Sequence, residues 1–85
     1  MRIKGKEGGD SMREYLKELR EAKGMTQLDV AEALHVANNY YHYIEHGERQ
    51  RDISLDLLIK LSAVFGEPLD KLIEAERDYK ASIAQ

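Results

Sequence analysis

Apolar and polar positions along the chain recur at helical spacing, and no run alternates for long enough to suggest a strand. Tyr15, Leu16, Leu19 and Ala22 form a first apolar stripe. Ahead of it, Ser11-Met-Arg-Glu14 has the form of a capping box, a hydroxyl with a glutamate three residues on. Gly24 supplies a left-handed stop. Thr26 is placed to cap a second helix, with Asp29 near its positive end and Val30, Ala31 and Leu34 as its inner face up to about His35. A third helix is expected from about Asn38 to His46, closed by Gly47. After the polar segment GERQRDI, Ser54 caps a fourth helix whose inward set reads Leu55, Leu58, Leu61, Ala63 and Val64, stopped by Gly66. Pro68 suits the first turn of a fifth helix, with Leu69, Leu72 and Ile73 inward. The expected fold class is all-α, with five helices.

The 85 residues make one domain at most, and a chain of this size buries only about 60% of its unfolded surface. Residues 12–78 are expected to form the domain, 79–85 a C-terminal tail and 1–11 a flexible N-terminal arm or extension. The chain has no cysteine, which excludes disulfides and thiolate metal sites. Its N-terminus, MRIKGKEGGDS, lacks the apolar stretch of a signal peptide, and no apolar run approaches ~18 residues. A cytoplasmic protein without membrane contact is the expectation.

Charge changes the picture further. The net charge of −3 speaks against an indiscriminate polyanion binder. Residues 24–46 contain no Lys or Arg, only Asp29, Glu32, Glu45 and three histidines, whereas Arg49, Arg51 and Lys60 follow. Any anion-binding surface built on the middle of the chain must borrow its positive charge from the flanks.

The third helix is the unusual element. At about 100° per residue, Ala37, Tyr40, Tyr41 and Ile44 gather on one side. Asn38, Asn39, His42 and His46 gather on the other, with Tyr43 and Glu45 at the edges. An ordinary solvated face would use Lys and Glu. Asparagine is a poor helix-interior residue, so the pair serves either as caps or as a reading surface. The same helix contains His42-Tyr-Ile-Glu-His46, a literal match to the zinc-peptidase pattern H-x-x-E-H. Two histidines at i, i+4 share a helix face, but peptidase chemistry also needs a third ligand, an open position and a cleft. An all-helical chain this short has little material for a cleft. No catalytic residue, functional metal, cofactor or small-molecule ligand is expected, and chelation by His42 and His46 alone would be adventitious.

The ordered pieces LKELREAKGMTQ, DVAEAL, YYHYIEHGER and LLIKLSAVFGEPLDKLI resemble the lambda-repressor-like, or XRE-family, helix-turn-helix domain, in a phage-repressor-type variant. The resemblance spans Leu16 to Ile73 and implies a DNA-binding transcriptional regulator. It places the recognition helix on Ala37 to His46, with Asn38, Asn39, His42 and Tyr43 on the base-reading side. Gln27 falls where such domains meet phosphate, Thr26 beside it is counted among the DNA-binding residues, and Arg20 pairs with Glu45 between the first and third helices. His35 stands where the family has glycine, so a left-handed turn there carries a side chain. The loop after Gly47 is two residues longer than the commonest version, and the recognition helix lacks the usual Arg or Lys.

The resulting expectation is a repressor-like regulator that binds double-stranded operator DNA as a homodimer. Asn38 and Asn39 would read bases, while Arg49 and Arg51 would hold the backbone. The dimer surface is expected on the fifth helix, through Leu69, Ile73, Tyr79 and Ile83. The alternative is a helix-turn-helix used for protein contact, favoured by the acidic balance. Against it, the polar stripe lacks the apolar centre of a protein-binding hot spot.

Overall fold

The structure is a computed structural model that describes residues 12–48 and 52–83. Among these residues it contains five helices and no strand: α1 (Glu14–Ala22), α2 (Gln27–Leu34), α3 (Asn38–His46), α4 (Leu55–Phe65) and α5 (Leu69–Ile83). No helix among them is long and apolar enough to cross a membrane.

Local chemistry sets most of the boundaries. Thr26 and Asp29 form a reciprocal cap at the start of α2. The Asp29 N–H donates to Thr26 Oγ1 at 3.0 Å, and the Thr26 N–H donates to Asp29 Oδ2 at 2.8 Å. Ser54 Oγ accepts from the Leu57 N–H at 3.0 Å and starts α4. His35 ends α2 in the left-handed conformation, φ 63° and ψ 43°. It is the one non-glycine residue with positive φ among those described. The Val36 N–H then reaches back to Ala31 O at 3.0 Å, and extended Ala37 launches α3.

The start of α1 differs from the expected cap. Ser11 lies outside the described residues, and the N-cap position belongs to Arg13, whose side chain does not cap the helix. Its backbone N–H instead donates to Glu45 O at 2.8 Å, which ties the entrance of α1 to α3.

The core comprises Leu16, Val30, Ala31, Leu34, Tyr41, Ile44, Leu57, Leu58, Leu61, Phe65 and Leu72. Five of the expected inward positions prove exposed: Ala22, Ala37, Tyr40, Leu55 and Ala63. On α4 the buried set is Leu57, Leu58, Leu61 and Phe65. That helix is apolar almost all round, so periodicity alone does not select the face that packs. Leu55 and Ile59 are left about half exposed, at 56% and 47%.

The expected boundary at 78 falls inside α5, which continues to Ile83. Tyr79 is buried, with the Arg13 guanidinium 4.5 Å above its ring centroid. Arg13 is itself fully buried. Its Nε and Nη2 donate to the two Glu76 carboxylate oxygens at 2.9 Å each, and Nη1 donates to Ile44 O at 2.8 Å. The Tyr15 hydroxyl donates to Glu76 Oε1 at 2.6 Å. One buried cation thus fastens α1, α3 and α5 together. The stripe Leu69–Ile73–Tyr79–Ile83 is therefore not a free apolar surface. Leu69 and Ile73 pack on the core, and Tyr79 is committed to Arg13.

Candidate nucleic-acid interface

The first turn of α3 presents Asn38 and Asn39 to solvent. The residue in the capping position is Ala37, and the helix start has no side-chain cap. Among the described residues neither asparagine amide has a hydrogen-bond partner within the chain. Each keeps a donor and an acceptor free on the exposed front of a helix N-terminus. Two such side chains add nothing to helix stability by propensity.

Behind them runs a buried polar relay centred on Glu45, a fully buried residue on the side of α3 that faces α1 and α2. Arg20 Nε and Nη2 donate to its two oxygens at 2.8 and 3.0 Å, in the two-pronged geometry that suits a guanidinium and a carboxylate. The Tyr41 hydroxyl donates to Oε2 at 2.9 Å, and Gln27 Nε2 donates to Oε1 at 2.7 Å. Burial alone would push the Glu45 carboxyl up. The hydrogen bonds from Arg20, Gln27 and Tyr41, with the Arg20 charge, outweigh it and hold its pKa below the ordinary carboxylate range. Burial, then the charge and hydrogen bond of Glu45, raises the Tyr41 phenol well above its usual value.

The relay reaches the exposed face through Gln27. Glu45 can only accept hydrogen bonds, so the Gln27 amide nitrogen faces it and the amide oxygen faces outward. That oxygen lies 3.1 Å from His42 Nδ1. The neutral His42 ring accordingly carries its proton on Nδ1 and presents Nε2 as an acceptor. The sequence reading set Gln27 against phosphate. In the structure one of its N–H groups donates to Glu45 and its oxygen faces His42, so its amide also orients the His42 ring. The reading placed Glu45 at an edge of the helix, whereas three donors draw it fully inside.

The site residues thus fall into two groups and a remainder. Gln27 at the start of α2 is brought beside His42, and next to it in sequence the exposed Thr26 hydroxyl, having accepted from Asp29, retains its own O–H to donate. Asn38 and Asn39 precede His42 by one turn on the same helix. Tyr43 sits at the edge of this face, half-buried, its ring 5.8 Å edge-on from that of His42. Arg49 and Arg51 lie outside the described residues. Sequence reasoning missed Glu48, which the left-handed Gly47 sets beside the two histidines, and the carboxylate-binding hydroxyl of Tyr41. A phenol one turn from a buried glutamate on the same helix was a usable signal for the latter.

Two short helices joined by a tight left-handed turn, the second with a free polar front and a back locked to the first helix, define a helix-turn-helix unit. Residues 16–72 match the sequence model of the family described as Helix-turn-helix. The chain belongs to this family, in its lambda-repressor-like, XRE-type form. It is similar to a Pyrococcus furiosus protein named "Putative HTH-type transcriptional regulatory protein". The two are 39% identical over 70 residues, which cover 82% of this chain and 21% of the relative. The chain therefore spans about a fifth of that relative's length. No solved structure gives a significant match.

Proposed function

We propose that the chain is a sequence-specific, repressor-like transcriptional regulator that binds operator DNA as a homodimer. The observation that carries the reading is the pair of exposed, unpartnered asparagines at the N-terminus of α3. Asparagine offers the acceptor and donor that match the N6 and N7 edge of adenine in the major groove. Family membership and the regulatory name of the Pyrococcus relative support the same reading. His42, held as an Nε2 acceptor by Gln27, extends the reading surface by one turn toward a base or sugar donor. Positive charge is assigned to Arg49 and Arg51, which follow α3 in sequence. The homodimer follows from information content. Three or four side chains of one recognition helix reach base edges, too few to select a genomic site, so two half-sites about one helical turn apart are required.

Selection of bound sequences from a random duplex pool tests the reading. Once a preferred duplex is known, Asn39→Ala should cost about 1–3 kcal/mol on it and little on a scrambled duplex. Arg51→Ala should weaken both and reduce the slope of log affinity against log salt by ~0.9. Equal losses on both duplexes from both variants would remove the asparagines from the reading face. A flat selection would turn the assignment to protein contact, for which Leu28, Tyr40, Leu55 and Ile59 are the exposed large apolar side chains among the described residues. Sedimentation equilibrium on the selected duplex counts protomers, and a single protomer per site would overturn the dimer.

A further inference from the structure

The H-x-x-E-H pattern does not make a peptidase here, because its glutamate is the buried Glu45, held by Arg20, Gln27 and Tyr41 and unable to act as a base. Its histidines are another matter. His42 and His46 lie half-buried on one face of α3, with ring centroids 4.1 Å apart. Glu48 joins them, and one ligand atom from each of the three lies within 4.8 Å of the others. Glu48 is fixed relative to the helix. Gly47 turns the chain at φ 68°, and the Glu48 N–H donates to Tyr43 O at 3.3 Å, closing the end of α3.

We propose that His42, His46 and Glu48 form a binding site for a divalent transition metal of the Zn²⁺, Co²⁺ or Ni²⁺ type. This goes beyond DNA binding and does not depend on it. Two imidazoles and a carboxylate with no thiolate select a borderline ion over Mg²⁺ or Ca²⁺. Tetrahedral bonds of 2.0–2.2 Å place ligand atoms about 3.4 Å apart. Closing from 4.8 Å takes small rotations of side chains that are partly or fully exposed. Three further features favour occupancy. Nδ1 of His42 already donates to Gln27, so Nε2 is presented as the ligand, and the Gln27–Glu45–Arg20 relay forms the outer shell that holds a ligating histidine. The site lies at the C-terminal, negative end of α3, where a cation is stabilised. Three protein ligands leave a fourth position open for water or an incoming oxygen or nitrogen.

Loading would change the charge of this face. Two neutral imidazoles and one carboxylate carry −1, and a bound dication brings the cluster to +1, in the very stretch of chain that lacks Lys and Arg.

Calorimetric titration of ZnCl₂ into the tag-free full chain, without DNA and in a non-coordinating buffer, tests the site. One equivalent should bind per chain, and Co²⁺ should give the visible absorption of a low-symmetry, four-coordinate ion. His46→Ala and Glu48→Gln should each weaken Zn²⁺ binding by at least about tenfold, the smallest loss that removing even an outer-shell partner brings. Glu48 is exposed, so its variant keeps the fold, and an unchanged far-UV spectrum verifies this. The site is overturned if the chain takes up no Zn²⁺, or if neither substitution weakens uptake. Half an equivalent with a Zn²⁺-induced dimer would also overturn it, in favour of a bridge between two copies. Because no DNA is present, none of these outcomes tests the asparagine reading, although a metal on His42 Nε2 would take the acceptor assigned there to a base or sugar donor.

Discussion

Glu45 is where one residue decides the most. Its carboxylate receives Arg20, Gln27 and Tyr41 at once, with no exposed surface of its own. Glu45→Gln preserves shape but leaves the Arg20 guanidinium, only 12% exposed, without a counter-charge. Breaking a buried pair in this way costs about 3–5 kcal/mol. In a domain of this size that is a fall of roughly 12 °C or more in melting temperature. An unchanged melting curve would show that the pair contributes nothing to stability. The Arg20–Glu45 pairing was available from the family resemblance. The part of Gln27 was not, because an amide that bridges a carboxylate and an imidazole carries no mark in sequence that separates it from one that meets a phosphate.

At the scale of elements, the turn between α2 and α3 fixes the angle at which Asn38 and Asn39 leave the protein, and His35 makes that turn with φ 63°. A β-carbon in the left-handed region costs ~1–2 kcal/mol, offset in part by the greater unfolded-state freedom of glycine. His35→Gly should therefore stabilise the chain by about 0.5–1 kcal/mol, read from denaturant midpoints at constant slope. A loss of stability would mean that the exposed imidazole makes contacts worth more than the strain. The elements most legible in the sequence were those punctuated by their own chemistry. Thr26–Asp29 opens α2, Gly47 closes α3, and Ser54 and Gly66 bracket α4. The α4 face was not legible, since Leu55 and Ile59 are as apolar as the leucines that pack. On α5 a signal existed and pointed elsewhere: Leu72, Glu76, Tyr79 and Ile83 keep helical register, and a carboxylate within such a stripe calls for a buried cation. That cation, Arg13, lies among charged residues with no periodicity to set it apart.

For the molecule as a whole, Arg13, Tyr15, Glu76 and Tyr79 act as a second, polar core beside the apolar one. Burial, then the hydrogen bond and charge of Glu76, raises the Tyr15 phenol far above its ordinary range. The folded chain keeps this proton at pH values where the unfolded chain releases it. The stabilisation is complete below the unfolded value of ~10 and declines as pH rises beyond it. Tyr15→Phe should lower stability at neutral pH by about 1.5–3 kcal/mol, the range for a hydrogen bond to a charged group. It should also flatten the alkaline limb of the stability profile, in part only, because the Tyr41 phenol is raised as well. An alkaline limb as steep as in the parent chain would place the linkage elsewhere.

The Arg13–Glu76 bond joins residues 63 positions apart in sequence. Closing so long a loop is entropically expensive until the intervening helices have docked, so this contact should form on the native side of the folding barrier. Interactions absent from the transition state set how slowly a protein comes apart and leave untouched how fast it assembles. In stopped-flow measurements Glu76→Gln should accelerate unfolding by nearly the whole of its stability loss, with the refolding limb unmoved. A proportionate slowing of refolding would instead place the buried cation in the nucleus. On the first outcome, Arg13 acts as a latch that governs the lifetime of the folded domain.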